Sequence, residues 1–411
     1  MRCLRLLLAL LFTVTLVASC TKEEETLTSP KPQGKYLVSA QKLFSYSKQE
    51  IISTFGFTAN YIPEVGVLTP KIKYGTDVYK LSYKTKFEGK EIIASGLVCF
   101  PQVNDSLPIL SFQNGTITCD SLAPSNDPKS LLFTLVSMVS GMGYIAVIPD
   151  YPGFGESKSQ IHPYLIKNEI VQSLIDMFLA VKEVNNVSAT QSKPSSKLYL
   201  LGYSFGGWAT LALHKELETV SNSGFDLKAS VCGAGAFNLP ALNQYVISCQ
   251  EYPEPFLLAY MFNTYKQKNL ISNPLTDFFQ PNYANVISTL FDKKKQSGAI
   301  NSALTTNLSL LLNNQFRINY QSDSKYAEYR NLLLENSITP WKTNIPVQFY
   351  HSEDDQTIPV EISKQMMIEM KNEGSAPQLI DLELIHDKDH NQAAIPAVVN
   401  GLLWISGIPS K

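Results

Sequence analysis

The stretch Lys197-Leu198-Tyr199-Leu200-Leu201-Gly202-Tyr203-Ser204-Phe205-Gly206-Gly207-Trp208 carries three signals in twelve positions. Residues 197–201 form a short apolar run of strand length, and residues 208–217 continue as a helical run. Between them stands a glycine-flanked serine, Gly202-Tyr203-Ser204-Phe205-Gly206. A serine lifted above the end of a sheet on a sharp strand-to-helix turn needs glycines where side chains would collide. Such a turn exposes the hydroxyl and aims the next backbone N–H, that of Phe205, at charge developing on an attacked carbonyl.

Working outward, further short apolar strands are predicted at 108–112, 144–148, 229–232, 346–350 and 378–385. Between them Ile170, Val171, Leu174, Ile175, Phe178 and Leu179 recur at helical spacing. Apolar strands alternating with helices specify an α/β fold, a mostly parallel sheet covered by helices on both faces. Upstream, 78–83 and 92–100 read as paired strands with Glu88-Gly89 as their turn. The alternation stops over about 238–340, where Pro, Asn, Tyr, Phe and Leu dominate and 302–312 is helix-like. That segment reads as a mainly helical cap insertion.

Composition agrees with a large folded domain. The chain has 411 residues, 44% hydrophobic and 17% charged, with net charge 34 − 36 = −2. It has the apolar content for a sizeable core and lacks the basic stripe of a nucleic-acid binder.

A neutral hydroxyl is a weak nucleophile, so a serine on such a turn requires an imidazole to take its proton and a carboxylate to fix that imidazole. Candidates follow in the chain order serine, acid, histidine. Glu353, Asp354 and Asp355 lie just after the strand ending at Tyr350, and His386 and His390 just after the strand ending at Ile385. Both groups occupy strand ends, where sites gather in open α/β sheets. Other readings are weaker. His386, Asp387, Asp389 and His390 cluster like metal ligands but lack a further ligand group. Asp150-Tyr151-Pro152-Gly153-Phe154-Gly155 lacks a full phosphate-loop pattern. His162 reads as a helix-start residue and His214 as structural. No metal or organic cofactor is implied.

The segments GYSFGG (202–207), SEDDQTIP (352–359) and DHNQAAIPAVVNGLLWI (389–405) resemble the α/β-hydrolase superfamily. ASGLVCFP (94–101), SFQNGT (111–116), DYPGFGES (150–157) and HPYLIKNEIVQSLID (162–176) bring the likeness closest to the secretory lipase family. It covers about 75–237 and 340–406. The resemblance implies an α/β-hydrolase fold and a Ser-His-Asp triad cleaving carboxylic esters of small molecules, lipids or glycans through an acyl-enzyme. It assigns Asp355, with Ile358-Pro359 behind it, as the acid and leaves Asp354 in reserve. It assigns His390, with Pro396-Ala397 behind it, as the base and leaves His386 in reserve. Asn114-Gly115-Thr116 stands where many relatives carry His-Gly-Thr, so these residues and Phe205 are the expected oxyanion donors. Tyr151 and Tyr203 are expected at the substrate pocket, Tyr151 with packing as its other role. A Cys119–Cys249 disulfide is implied, with two buried thiols as the other reading. The cap aromatics Tyr245, Tyr252, Phe256, Tyr260, Phe262 and Tyr265 either bind substrate or pack the cap. Competing functions are a serine peptidase of related fold and a non-catalytic surface binding protein.

The first residues read as an address. Arg2 and Arg5 precede an apolar run at 6–17, too short to span a bilayer, that ends in Val17-Ala18-Ser19-Cys20. This resembles a bacterial lipoprotein signal, with 1–19 removed and Cys20 lipidated as the membrane anchor. Thr21-Lys22-Glu23-Glu24-Glu25 resembles the surface-export signal of Bacteroidetes lipoproteins, within a tether over 20–35. The hydrolase domain is expected over 36–411.

Overall fold

The computed structural model describes residues 34–186, 190–220 and 223–408. The signal segment, Cys20 and most of the tether lie outside them. Nine strands build one sheet in the order β1-β2-β3-β5-β4-β6-β7-β8-β9. They are β1 (Leu37–Tyr46), β2 (Thr76–Phe87), β3 (Lys90–Pro101), β4 (Ser106–Gln113), β5 (Ile145–Pro149), β6 (Lys193–Tyr203), β7 (Asp226–Gly233), β8 (Val347–Ser352) and β9 (Ile380–Ile385). The first three pair antiparallel, β3 meets β5 antiparallel, and β5-β4-β6-β7-β8-β9 run parallel.

Local chemistry accounts for these elements. Every residue of β5 and β8 is buried, as a parallel strand covered on both faces requires. The β2–β3 hairpin closes through Glu88 and Gly89, both at positive φ, the two-residue turn whose twist matches the strands. β1, at the sheet's edge, was not anticipated by the sequence reading.

Helices Lys48–Thr58, Leu131–Val139 and Ala394–Gly407 contribute to one apolar cluster, which includes Phe55, Phe133, Val139, Tyr203 and Leu402. Helices Lys167–Glu183, Phe205–Thr219 and Glu361–Asn372 contribute to the other, which continues into the insertion between β7 and β8. That insertion is helical, including Leu239–Ser248, Pro255–Gln267, Pro281–Leu290 and Ala327–Asn336. Its centre is an aromatic knot in which Phe262 packs on Phe278, Phe279, Phe316 and Tyr329. The helix expected over 302–312 is instead two short ones, Ser297–Ser302 and Leu308–Leu311. Asn307 explains the break: its side chain accepts from the Ser309 and Leu310 amides and starts a new helix. Among the described residues no helix is long and apolar enough to cross a membrane.

Candidate active site

Ser204 caps the N-terminus of helix Phe205–Thr219 with φ 58° and ψ −123°, a region costly for a residue with a side chain. The surroundings enforce it. A Cβ on Gly202 would lie 2.2 Å from Gly206 O, and one on Gly206 would lie 1.8 Å from Gln113 O. The glycines therefore let β6, the helix and the end of β4 approach closely enough to hold the turn. The Ser204 amide donates to Gly233 O at 2.9 Å, tying the turn to β7. The helix's first amides open beside the serine, without intrahelical acceptors and at the positive end of the helix dipole.

His390 sits beyond β9 and reaches the serine, with Nε2 2.8 Å from Ser204 Oγ. Its Nδ1 lies 2.5 Å from Asp355 Oδ2. A carboxylate only accepts, so Nδ1 carries the proton and Nε2 is left to accept from the serine hydroxyl. Asp355, after β8, has its side chain fully buried. Its Oδ1 accepts the Thr357 and Ile358 amides at 2.9 and 2.8 Å. Burial raises its pKa, yet hydrogen bonds and charge from His351 and His390 outweigh that and hold it well below the usual carboxylate range. Asp354 is exposed, and His386 pairs on the surface with Glu353 at 2.6 Å. The reserve residues thus lie away from the serine.

His351 is a member of the site that spacing alone does not reveal. It is fully buried on β8, and its Nε2 lies 2.8 Å from Ile358 O and 3.2 Å from Asp355 Oδ2. Its Nδ1 is 2.7 Å from Ser363 Oγ. A carbonyl accepts only, so Nε2–H is shared between Ile358 O and Asp355, a second imidazole behind the acid.

The expected oxyanion residues divide. Gly115 and Thr116 line a cavity together with Ser204 and His390. Asn114 is buried beneath, its carbonyl accepting from Tyr151 OH at 3.2 Å. Tyr151 is buried at φ 66° and packs edge-on to Phe205, supporting Asn114 and Phe205 rather than lining the cavity. Tyr203 does line the cavity, and its hydroxyl donates to His390 O at 2.7 Å. The 150–157 turn is scaffold. Asp150 accepts from Ser95 and Ser125 hydroxyls at 2.5 and 2.6 Å, and the Gly155 amide donates to Asp120 at 2.8 Å.

The implied disulfide is corrected, since both thiols are free. Cys119 Sγ is 3.2 Å from Lys294 O, and Cys249 Sγ is 3.3 Å from Tyr245 O. Backbone pairing does the joining instead, with the Asp120 amide donating to Lys293 O at 2.8 Å. The cap tyrosines mostly support. Tyr245 and Tyr252 donate to Gln356 O and Thr357 O at 3.0 and 3.1 Å, bracing the loop that bears Asp355. Tyr260 stacks on Tyr164 and Phe291, Tyr265 is wholly buried, and Phe256 lines the cavity. His162 is not at a helix start. It is buried among Tyr151, Phe154, Tyr164, Phe205 and Tyr260. His214 is buried against Ser230 and Thr343.

No protein-family profile matches this sequence. No curated protein matches it either. Solved structures do. A candidate hydrolase of Legionella pneumophila superposes with TM-score 0.81 at 23% identity, over 92% of this chain and 99% of that one. The chain has the α/β-hydrolase fold. A rice cell wall degrading esterase, LipA from Xanthomonas oryzae, matches with TM-score 0.73 at 22% identity, over 90% of this chain and 96% of that one. Candida antarctica lipase A in its closed state matches with TM-score 0.63 at 15% identity, over 90% and 81%. At these identities the likeness is one of fold.

Proposed function

We propose that this α/β-hydrolase-fold chain is a serine hydrolase of carboxylic esters, acting through Ser204, His390 and Asp355. The observation that carries the reading is the unbroken relay Ser204–His390–Asp355 at 2.8 and 2.5 Å, opening on an apolar cavity. Ser204 Oγ attacks the ester carbonyl as His390 Nε2 takes its proton, and Asp355 stabilises the imidazolium. Amides of Phe205 and the Gly115-Thr116 loop stabilise the tetrahedral oxyanion. The C–O bond to the alcohol breaks, and the alcohol leaves with the proton held by His390. Water, deprotonated by the same imidazole, then adds to the acyl-enzyme and releases the acid. The fold neighbours named as an esterase and a lipase support ester rather than peptide chemistry. Lipid anchoring through Cys20 and export are proposed on the N-terminal sequence alone.

The test is hydrolysis of chromogenic acyl esters. Ser204→Ala is expected to lower kcat by roughly ten-thousandfold or more while the fold is retained. Equal rates in the variant and the parent would overturn the reading.

A further inference from the structure

Three spaces meet at the triad, and they differ in size, lining and position. A small one of about 60 Å³ lies beneath the cap, between Ser204 and residues such as Leu239, Val246 and Met261. A second, of about 420 Å³, is lined by Glu254, Asp354, Gln356, Asp387, Asp389 and Asn391 and touches His390 but neither Ser204 nor the oxyanion loop. The third, of about 500 Å³, touches Ser204, Gly115, Thr116 and His390.

Cap residues make up only part of the wall of this third cavity. Beyond its mouth it is walled by Phe55, Val65, Leu68, Leu135, Val139 and Leu402. Those residues belong to, or pack against, the apolar cluster on the sheet face opposite the cap. The cavity therefore penetrates between helices Leu131–Val139 and Ala394–Gly407, and the N-terminal segments around Phe55 and Leu68 form part of its wall. The cap adds Phe256 and Leu257 with the polar residues Glu254 and Ser297. Leu131 and Leu132, both exposed, also line it, so the cavity is an apolar cleft open to solvent and suited to an apolar ligand.

We infer that this cavity is the acyl site and that the substrate's acid is a linear aliphatic chain, with residues ahead of β2 setting the length accepted. The inference rests on the serine hydrolase reading above and specifies its substrate. The leaving alcohol takes its proton from His390, so it belongs on the side of the polar cleft. The acyl carbon is bonded to Ser204 with its oxygen at the oxyanion loop, so the chain enters the space that contains both. The remote walls offer an alkyl chain contact and no hydrogen bond, which selects against hydroxylated, charged or glycosyl acids.

The experiment compares kcat/KM on two series. One holds 4-nitrophenol constant and varies the acid from acetate through butyrate, octanoate and dodecanoate to palmitate. The other holds acetate constant and varies a linear alcohol. Expected is an optimum at octanoate or longer in the first series and little gain with length in the second. Leu68→Trp is expected to lower the ratio of dodecanoate to butyrate kcat/KM by about tenfold. Leu68→Ala is expected to raise that ratio, an opposite shift that general destabilisation does not produce. Leu135→Trp, on a half-buried position of the helix, replaces Leu68→Trp if the latter fails to fold. An acetate or butyrate optimum, a ratio unmoved by both Leu68 variants, or preference for long alcohols would overturn the inference while leaving a Ser204-dependent esterase standing. Loss of all ester hydrolysis in the folded parent would overturn both.

Discussion

Asp355 receives four donors: two backbone amides and the imidazoles of His390 and His351. The amides and His351 fix the carboxylate so that Oδ2 faces His390, and a triad works only within a narrow geometric window. His351→Phe removes the N–H and leaves Ile358 O and Ser363 Oγ without their partner. Steady-state kinetics are expected to show kcat reduced by roughly ten- to a hundredfold with KM nearly unchanged. His351→Gln, which keeps a donor, is expected to recover part of the loss. Equal falls in stability and kcat/KM with no kcat-specific effect would make His351 merely structural. This residue also marks a limit of sequence reading. Asp354 and Asp355 are adjacent and chemically identical, and so are His386 and His390 as side chains. A D-x-x-[VI]-P pattern favours Asp355, but the physical reason is burial, which puts Asp354 in solvent and Asp355 against two imidazoles. His351 gives no signal in spacing, because its role follows from the β8 register and from the turn that brings Ile358 back over it.

The strands and helices that hold the triad were legible because period-2 and period-3.6 patterns survive in elements buried on defined faces. β4 to β9 fall where their apolar runs lie. β1 was not legible: it is an edge strand, and most of its residues are half-buried or exposed, so no clean alternation is written into it. The contacts that join loops and cap to the sheet were equally hidden, since they run through backbone carbonyls, as at Lys293, Gln356 and Thr357. One such seam makes a pH prediction. His162 joins the 150–165 loop to helix Pro255–Gln267 through Tyr260, and burial drives its pKa down to about 3 even though Pro152 O pairs with Nδ1 at 2.8 Å. Between the ordinary imidazole value of about 6.5 and about 3, the unfolded chain binds the proton that the folded chain refuses. The contribution of His162 is intact above that window and is lost as pH falls through it, by up to about 1.4 kcal/mol per pH unit. Thermal melts from pH 7 to pH 5 are expected to show a shallower fall in Tm for His162→Phe than for the parent. Parallel curves would refute the assignment.

At the scale of the whole molecule, the sheet separates two tasks. One face and the cap carry the aromatic seams that brace the loop bearing Asp355 and the 114–116 loop. The other face holds the deep apolar cavity. The family-like motifs span the triad and its loops but begin near residue 75, so Phe55, Val65 and Leu68 lie in sequence that carries no recognisable pattern. The cavity exists because an N-terminal helix and the last helix close around Leu131–Val139, a long-range arrangement that local periodicity does not encode. The proposed catalytic residues were therefore readable as motif, and the cavity beside them only as structure.

The central claim is that Ser204 is a nucleophile activated by His390. It is tested most directly by treating the folded protein with a fluorophosphonate and mapping the product by mass spectrometry. Attack of Ser204 Oγ on phosphorus expels fluoride and leaves a stable phosphonyl ester. The expected result is one adduct per chain, carried by Ser204, absent in Ser204→Ala and formed far more slowly in His390→Ala. A folded chain that remains unlabelled, or one labelled elsewhere while ester hydrolysis persists, would contradict the account.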